Sequence, residues 1–314
     1  MENVRISLIT TILNEEHSID SFLSSIFNQT RMPDEIVIVD AKSTDDTVNK
    51  IKNYTKTAKN IPIKLYVFPG NRSIGRNEAI KHCSHQFIAV TDAGCNLKKD
   101  WLEELIKPFD QDESIDVVAG WYQPIVHTDF QKALSKVLNF KSENINANTF
   151  LPSTRSLAFK KSIFYKAGGF DEQYSHNEDT PFALKLKKIG AKFLFQPKAL
   201  VYWITPNSYN NLYRTIWRYA YGDGEAKLWL SQYKIIFSFW ILLTIIFILF
   251  IYLHNLLYLE IFLLIFFSYL YLPFFQSGKI NGIRELLTIP LLKFTMILAN
   301  TSGFINGLRN KNEI

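Results

Sequence analysis

A run of nineteen uncharged residues, 235–253, constrains this chain more than any other feature of its sequence. A helix of that length, at about 1.5 Å per residue, reaches roughly the 30 Å thickness of a bilayer core. A second apolar run, 256–275, follows after only His254 and Asn255 and carries Glu260 near its start. We therefore predict a transmembrane helical hairpin with a tight turn. A buried hairpin of a soluble protein is the alternative.

Basic residues flank this predicted hairpin on both sides. Lys227 and Lys234 precede it, and Lys279 and Arg284 follow it. Because membrane proteins keep Lys-rich and Arg-rich flanks in the cytosol, both ends of the hairpin are predicted to be cytosolic. The N-terminal part of the chain then lies on the same side. The expected location is the cell membrane, as a multi-pass protein whose folded domain is cytosolic.

A third apolar stretch, 286–305, can be interpreted in two ways. Pro290, Lys293 and Asn300 interrupt it, and Arg309 follows it. Cations on both flanks favour a helix that lies in the cytosolic interface of the membrane. A third membrane span is the alternative, and the sequence leaves both open.

The net charge of +6 is unevenly distributed along the chain. Seven Lys or Arg residues and three acids lie from residue 227 onward, which leaves only +2 on the first 226 residues. A nucleic-acid-binding domain needs a concentrated basic surface, so no nucleic-acid partner is expected. Positive charge beside apolar segments is suited to anionic lipid headgroups, and membrane lipids are expected partners. The two cysteines are too few for a disulfide framework.

The first 226 residues alternate strand-like and helix-like segments. Four runs rich in apolar and β-branched residues predict strands, at 5–13, 35–40, 63–68 and 87–91. Such alternation indicates an α/β domain, with a Rossmann-like, mostly parallel sheet flanked by helices. Ligands bind at the carboxyl ends of the strands in such sheets. We expect a cytosolic domain over 1–226 and a membrane region over 227–314.

Five short segments begin at or follow these elements, one after another along the chain. They are ISLITTILNE (6–15), IVIVDAKSTDD (36–46), GNRSIGRN (70–77), FIAVTDAGCN (87–96) and AGGFDEQYSHNEDTP (167–181). Their order and spacing resemble the family 2 glycosyltransferases, which have the GT-A fold. A sixth segment, YRTIWRYAYGDGEA (213–226), is similar to the stretch that the family carries before the membrane. The resemblance covers residues 4–226 and implies an inverting transfer of a sugar from a nucleotide-diphosphate sugar.

The resemblance implies that three residues at the ends of the first two strands contact the nucleoside. Thr11 and Glu15 match the end of the family's first strand. Asp40 stands where the family places an acid on the base, and a carboxylate there can accept a hydrogen bond from a uracil or guanine ring N–H. Ala41 and Lys42 replace the usual Asp-Gly after that acid, so the turn is expected to differ.

Two arginines are expected to hold the donor diphosphate. Arg72 and Arg76 lie in the segment that resembles the family's Arg-Asn motif, and a guanidinium matches the geometry of phosphate oxygens. Arg76 can equally be a surface residue of its helix, and the sequence does not separate these two roles.

A divalent metal is doubtful as a cofactor. Asp92 matches the first acid of the family's D-x-D motif and is the tentative metal ligand, but Gly94 replaces the second acid. Trp203 stands near where many members carry a histidine. Mg²⁺ and Mn²⁺ prefer oxygen ligands, so one Asp makes a poor site. Either the donor and water hold most of the metal, or cations such as Arg72 and Arg155 replace it. Asp92 then contacts the ribose, or is a structural residue.

Asp179 takes the place of the family's catalytic base. Inversion needs one carboxylate on the face opposite the leaving group, where it deprotonates the acceptor hydroxyl as that oxygen attacks. Glu178 is expected to orient Asp179 or the acceptor. The alternative is structural, since Asp179 or Thr180 could cap a helix that begins at Pro181.

Arg155, Arg218 and Tyr219 are candidates for the acceptor or sugar pocket, with a packing role as the alternative. A membrane location implies an acceptor that is itself on the membrane. A polyprenyl-linked sugar or growing surface polysaccharide fits best, and a polyprenyl phosphate is the next choice. A non-catalytic scaffold with the same fold is a further alternative. A nucleotidyltransferase would need a phosphate loop near the N-terminus, and residues 14–20 contain no Gly-rich run.

Overall fold

The computed structural model describes residues 4–57, 61–138, 142–147, 149–277 and 282–310. The chain divides into two compact units. The first comprises Met1–Ile125 with Lys141–Ile204, and the second comprises Val126–Phe140 with Thr205–Ile314. The predicted division into a domain over 1–226 and a membrane region over 227–314 remains a prediction.

The first unit contains a sheet and the helices that cover it. Its strands are β1 (Ile6–Ile12), β2 (Glu35–Asp40), β3 (Ile63–Val67), β4 (Phe87–Val90), β5 (Cys95–Leu97), β6 (Val117–Ile125), β7 (Leu157–Lys160) and β8 (Phe193–Ile204). Its helices are α1 (Ile19–Phe27), α2 (Thr47–Thr57), α3 (Arg72–Lys81), α4 (Trp101–Gln111), α6 (Lys161–Lys166) and α7 (Asp179–Lys188), together with a 3-10 turn at Ser142–Asn144.

The described strands form one sheet in the order β3-β2-β1-β4-β7-β6-β8-β5. β1 pairs in parallel with β2 and β4, and β2 pairs in parallel with β3. β7 pairs antiparallel with β4 and β6, β5 pairs antiparallel with β8, and β6 pairs in parallel with β8. Parallel pairs predominate, which confirms the predicted α/β sheet. The short strand β5 was not predicted.

The strands at the centre of the sheet are buried on both faces, as parallel strands covered by helices must be. Every residue of β2 is buried, and β1 is buried apart from partly exposed Thr11. Successive side chains of a strand point to opposite faces. Leu8 accordingly packs in one core cluster and Ile9 in the other. Burial raises the pKa of both thiols, Cys83 and Cys95, to about 12, so neither is a ready nucleophile at neutral pH.

The second unit is helical. It contains α5 (Asp129–Leu138), α8 (Tyr209–Glu225), α9 (Leu230–Leu253), α10 (Leu256–Ser277) and α11 (Ile283–Asn310). α8 and α11 pack at backbone distance. A Cβ added to Gly307 would lie 2.0 Å from the Tyr221 carbonyl oxygen, and one added to Gly303 would lie 2.4 Å from that of Trp217. Small residues four positions apart permit this close approach, as in helix pairs within membranes.

Two described helices are long and apolar enough to cross a bilayer, Leu230–Leu253 and Ile283–Arg309. The first has almost no buried side chains in this structure, whereas a third of the apolar window of the second is buried. The apolar part of α10 with described side chains, Leu256–Leu272, is shorter. α9 and α10 are separated only by His254 and Asn255, so the predicted tight helical hairpin is present.

The apolar stretch over 286–305 forms part of one continuous helix, α11. Pro290 lies inside it and does not end it. Its length and composition are compatible with a span, but the choice between a span and an interfacial helix stays open. One of the basic residues used to predict orientation, Lys279, lies outside the described residues.

Candidate active site

The carboxyl ends of three neighbouring strands meet at one edge of the sheet. β1 carries Thr11 near its end, β2 ends at Asp40, and Asp92 follows closely after β4. Because β1 pairs in parallel with both β2 and β4, these three residues share that edge. α3 starts at Arg72 and α7 starts at Asp179.

Arg76 is the centre of a buried charge cluster. Its side chain is 2% exposed, and it donates hydrogen bonds to Asp92 at 2.9 Å and to Glu178. Burial acts to lower the pKa of this guanidinium, but the charges of the two carboxylates outweigh burial and raise it. The alternative of a surface arginine is therefore wrong, because Arg76 lies on the inner face of α3 beside Ala79 and Ile80.

Glu178 and Asp179 are adjacent carboxylates with opposite pKa shifts. Burial acts to raise both, but at Glu178 the charge of Arg76 prevails and the pKa is lowered. At Asp179, burial and the charge of Glu178 together raise the pKa. Asp179 accepts hydrogen bonds from the backbone N–H of Thr154 at 3.3 Å and of Thr180 at 3.0 Å. A raised pKa suits a carboxylate that must accept a proton.

The alternative role of Asp179 as a helix cap does not match the observed helix. α7 begins at Asp179, two residues before the expected start at Pro181, and Asp179 is itself helical. The residue before it, Glu178, makes no capping hydrogen bond with its side chain. Arg76 is instead the partner of the Glu178 carboxylate, and the Asp179 carboxylate accepts from the backbone of Thr154 and Thr180.

Asp92 is the most accessible acid of the cluster, with 36% of its side chain exposed. Burial acts to raise its pKa, but the charges of Arg76, Arg155 and Arg72 lower it below its usual value. Asp92 is therefore a carboxylate surrounded by three cationic side chains, and it remains ionised.

Arg155 lies between two aromatic rings. Its guanidinium carbon is 5.1 Å from the ring centroid of Tyr122 and 4.8 Å from that of Trp203, both within the range of cation–π contacts. Its Nη1 also donates to the hydroxyl of Ser153 at 3.2 Å. Arg72, by contrast, is an exposed residue in the first turn of α3.

Asp40 is fully buried and holds the turn that follows β2. Its carboxylate accepts the backbone N–H of Lys42 at 3.0 Å and of Ser43 at 2.8 Å, and also the Ser43 hydroxyl. Lys42 has a φ of 73°, so it adopts the left-handed conformation that the glycine usual in the family would adopt without strain. The replacement of that glycine therefore does not prevent the left-handed turn.

Thr11 and Glu15 lie at and beyond the end of β1. Thr11 faces α3 so closely that a Cβ on Gly75 would lie 2.8 Å from its methyl carbon. The Glu15 carboxylate accepts a hydrogen bond from the Ser18 hydroxyl, and the Glu15 N–H donates to the Thr47 hydroxyl at 2.8 Å. Neither contact includes Asp92 or Asp179, so their part in donor binding remains a prediction.

Two asparagines that the sequence argument did not single out fix α3 to the segment before α7. Asn77 donates to the Phe170 carbonyl at 2.9 Å and accepts the Phe170 N–H at 3.0 Å. Asn71 donates to the Glu172 carbonyl at 2.7 Å. These bonds bring Arg76 and Glu178 together. The signal in the sequence was the Asn that follows Arg76 in GNRSIGRN.

Arg218 and Tyr219, the remaining candidates, lie on α8 in the second unit. The Arg218 side chain is exposed, and Tyr219 packs against the cluster that includes Leu212 and Ile216. Their expected part in an acceptor pocket remains a prediction.

The family model described as glycosyl transferase family 2 matches residues 7–170, which is more than half of the chain. The chain belongs to this family. A second model, described as glycosyl transferase family group 2, matches residues 96–277. The family assignment agrees with the order of the strand-end segments and with the acids at the edge of the sheet.

Two curated relatives of this family 2 protein have names that refer to bacterial glycans. It is 24% identical over 235 residues to the poly-beta-1,6-N-acetyl-D-glucosamine synthase of Staphylococcus epidermidis, covering 71% of this chain and 55% of the relative. It is 27% identical over 187 residues to the O-antigen chain rhamnosyltransferase WbaN of Salmonella anatum, covering 55% and 57%. The chain thus spans about half the length of these relatives.

Solved structures confirm the GT-A fold. The mannosyltransferase PcManGT from Pyrobaculum calidifontis, in complex with GDP-Man and Mn²⁺, matches with a TM-score of 0.59 at 18% identity, over 98% of this chain and 87% of that one. S. aureus TarS 1–349 in complex with UDP matches with a TM-score of 0.51 at 21% identity, over 70% and 65%. These likenesses show only the fold of the family 2 protein.

The residues around Asp92 do not fit a divalent metal. Among the described residues, no group of three or more His, Cys, Asp or Glu side chains could hold an ion. Asp92 is paired with Arg76, and a Cβ on Gly94 would meet nothing within 4 Å, so the place of the second acid is open space. Trp203 offers a ring to Arg155 and no oxygen or imidazole ligand. A divalent cation here would have one carboxylate ligand, Asp92, and would be repelled by three nearby arginine side chains.

Proposed function

We propose that this family 2 protein is an inverting glycosyltransferase in which Asp179 is the catalytic base. The observation that carries the proposal is the pair of adjacent carboxylates at the start of α7. Glu178 is held ionised against Arg76, and its charge helps to raise the pKa of Asp179 beside it after the effect of burial. Two neighbouring acids driven apart in pKa have different roles, here one structural anion and one proton acceptor.

In the proposed step, the acceptor hydroxyl attacks the anomeric carbon of the donor sugar. Asp179 takes the hydroxyl proton as the new carbon–oxygen bond forms. The bond from the anomeric carbon to the phosphate oxygen breaks on the opposite face, and its electron pair leaves with the nucleoside diphosphate. Arg72 and Arg155 supply positive charge for this leaving group, since preorganised cations stabilise charge that develops in the transition state. A divalent metal is given no part in this step.

The donor nucleoside is proposed to bind at the ends of β1 and β2, with Asp40 on the base and Thr11 and Glu15 beside it. An ionised carboxylate has about four acceptor positions. Asp40 accepts three hydrogen bonds from Lys42 and Ser43, which leaves one acceptor position for a ring N–H of uracil or guanine. Because Asp40 is fully buried, this contact requires the Lys42–Ser43 turn to open.

The acceptor is proposed to be a membrane-bound glycan, most suitably a polyprenyl-linked one, in the synthesis of a surface polysaccharide. The apolar helices α9 and α11 support membrane attachment, because each is long enough to cross the bilayer core. The names of the two bacterial relatives support a surface glycan as the product. The basic flanks support a cytosolic catalytic domain, where nucleotide sugars would be bound. Arg218 and Tyr219 are proposed for the acceptor side.

The test compares three variants of the full chain purified in detergent. Asp179→Asn should abolish sugar transfer while leaving nucleotide affinity nearly unchanged, because only the proton acceptor is lost. Asp40→Ala should instead weaken nucleotide binding. Asp129→Asn is the control, since its carboxylate is 86% exposed in the second unit. Transfer would be followed with radiolabelled nucleotide sugars and membrane lipid extracts, and binding by calorimetry.

Full transfer activity in Asp179→Asn would remove the assignment of the base. Failure of the unmodified protein to bind UDP, GDP, CDP or dTDP would favour the non-catalytic scaffold. Transfer to polyprenyl phosphate, without activity on lipid-linked sugars, would favour the alternative acceptor.

A further inference from the structure

Arg155 differs from the other arginines of the site in how it is held. Arg76 is buried and divided between two carboxylates, and Arg72 is exposed at a helix start. Arg155 is half-buried with its guanidinium between Tyr122 and Trp203. Contacts on two rings fix the plane of a guanidinium while its N–H groups, which lie in that plane, point outward from the stack.

The residue that fixes Arg155 is also one of the two departures from the family's metal site. Trp203 stands near the position where many members carry a histidine, and β8 places it opposite Cys95 at the start of β5. Gly94, the other departure, directly precedes Cys95 and leaves open space in place of an acid. The two departures therefore lie together, and the cation Arg155 occupies the same neighbourhood.

The charges at the site support the same conclusion. Arg155 acts on both Asp92 and Asp179, opposing the rise in pKa at Asp179 and contributing to the fall at Asp92. It is therefore close to the first acid of the altered D-x-D motif and to the proposed base. In the proposed reaction the leaving diphosphate lies on the face of the sugar away from Asp179 and near Asp92, and the Asp92 carboxylate alone would repel it.

We propose that Arg155, stacked on Trp203 and Tyr122, binds the donor diphosphate in the role that a divalent cation has in metal-dependent relatives, and that donor binding needs no metal. This inference rests on the proposed function and refines its donor site. A guanidinium remains charged at all physiological pH values and binds phosphate oxygens through paired N–H groups. Arg72 adds a second cation from α3, and the loss of the second acid at Gly94 removes a repulsive charge.

The experiment measures the Kd of UDP, GDP, CDP and dTDP by calorimetry on the full chain in detergent, once with excess EDTA and once with excess Mn²⁺. The unmodified protein should bind one nucleotide with Kd values that agree within about twofold in the two buffers, a difference below 0.5 kcal/mol. Arg155→Gln should weaken that binding roughly 10- to 100-fold, the loss expected for hydrogen bonds to a charged group.

Two further variants separate a binding role from a structural one. Arg155→Lys keeps the charge and loses the planar fork, so its Kd should lie between those of the unmodified protein and Arg155→Gln. Arg31→Gln is the matched control, since Arg31 pairs with Asp34 at 3.0 Å and bonds to the backbone of Val4. It should leave nucleotide affinity unchanged. Thermal unfolding of each variant shows whether it is folded.

The outcomes distinguish this inference from the proposed function. Binding that requires Mn²⁺ and disappears in EDTA would overturn the metal-free site and leave the glycosyltransferase intact. EDTA-resistant binding that is unchanged in folded Arg155→Gln would overturn the role of Arg155. No binding of any nucleotide in either buffer would overturn both the inference and the proposed function on which it depends.

Discussion

Replacing Arg76 by methionine would leave Glu178 as a buried carboxylate without its cationic partner. The two side chains are 2% and 5% exposed, so this contact is a buried ion pair. Removal of one partner from such a pair costs about 3–5 kcal/mol. The contact with Asp92 adds little to that figure, because Asp92 is 36% exposed and water screens its charge. For a unit of this size, the expected fall in Tm is about 6–20 °C.

The assay is thermal unfolding of the full chain in detergent, followed by tryptophan fluorescence. Arg76→Met should show the full loss, and Arg76→Met with Glu178→Gln should recover much of it, because the stranded charge is gone. Lowering the pH should also reduce the loss in the single variant, since Glu178 can then be protonated. A fall below 2 °C in Arg76→Met, or no recovery in the double variant, would refute the buried pair.

Three further predictions concern Asp179 and the contact between α8 and α11. The pKa of Asp179 is raised, so kcat/KM should fall on acidification at a higher pH than an ordinary aspartate would give, as a pH–rate profile would show. The raised pKa means that ionising Asp179 destabilises the folded state, and this destabilisation appears as pH rises through the pKa that Asp179 has in the unfolded chain. Asp179→Asn should therefore raise Tm at pH 7, but not at a pH below that unfolded-state pKa. The same Tm difference between Asp179→Asn and the unmodified protein at both pH values would contradict this. Gly307→Ala would force α8 and α11 apart at the Tyr221 carbonyl and lower the free energy of unfolding by about 1–3 kcal/mol, which should increase protease sensitivity. Gly94→Ala is the control, because the added Cβ meets no neighbour within 4 Å. Equal protease sensitivity of the two variants would contradict the close packing.

The central strands were predictable because the apolar composition of each short segment indicates a buried strand. β1, β2 and β4 are runs of apolar and β-branched residues of the length that strands have, and a polar residue lies at the end of each or within two residues after it. β5 was not predictable in the same way. It has three residues, and only its pairing with β8, about a hundred residues later, defines it as a strand.

The burial of Arg76 left a signal that the sequence analysis did not use. Ala79 and Ile80 follow it at spacings of three and four, which places Arg76 on the apolar face of α3. An arginine on such a face needs a carboxylate partner. The identity of that partner, Glu178, could not be predicted, because the contact depends on the path of the chain through the sheet.

The helical hairpin of α9 and α10 illustrates the opposite case. Two apolar runs with a two-residue break predict the lengths of the two helices and the turn between them, and α9 and α10 have those bounds to within a few residues. The packing of α5 against the C-terminal helices could not be predicted from local sequence. Its contacts, such as the ion pair of Lys136 with Glu285 at 2.6 Å, lie far apart in sequence.

The 102-residue separation of Arg76 and Glu178 has a consequence for synthesis on the ribosome. At about 5–20 residues per second, Arg76 is made roughly 5–20 s before its partner exists. During that interval Arg76 can pair with Asp92, but its buried partner Glu178 is missing and the inner face of α3 is incompletely neutralised. A ribosome that stalls before residue 178 would therefore hold an N-terminal fragment with an exposed apolar helix face, a natural target for chaperones and proteases.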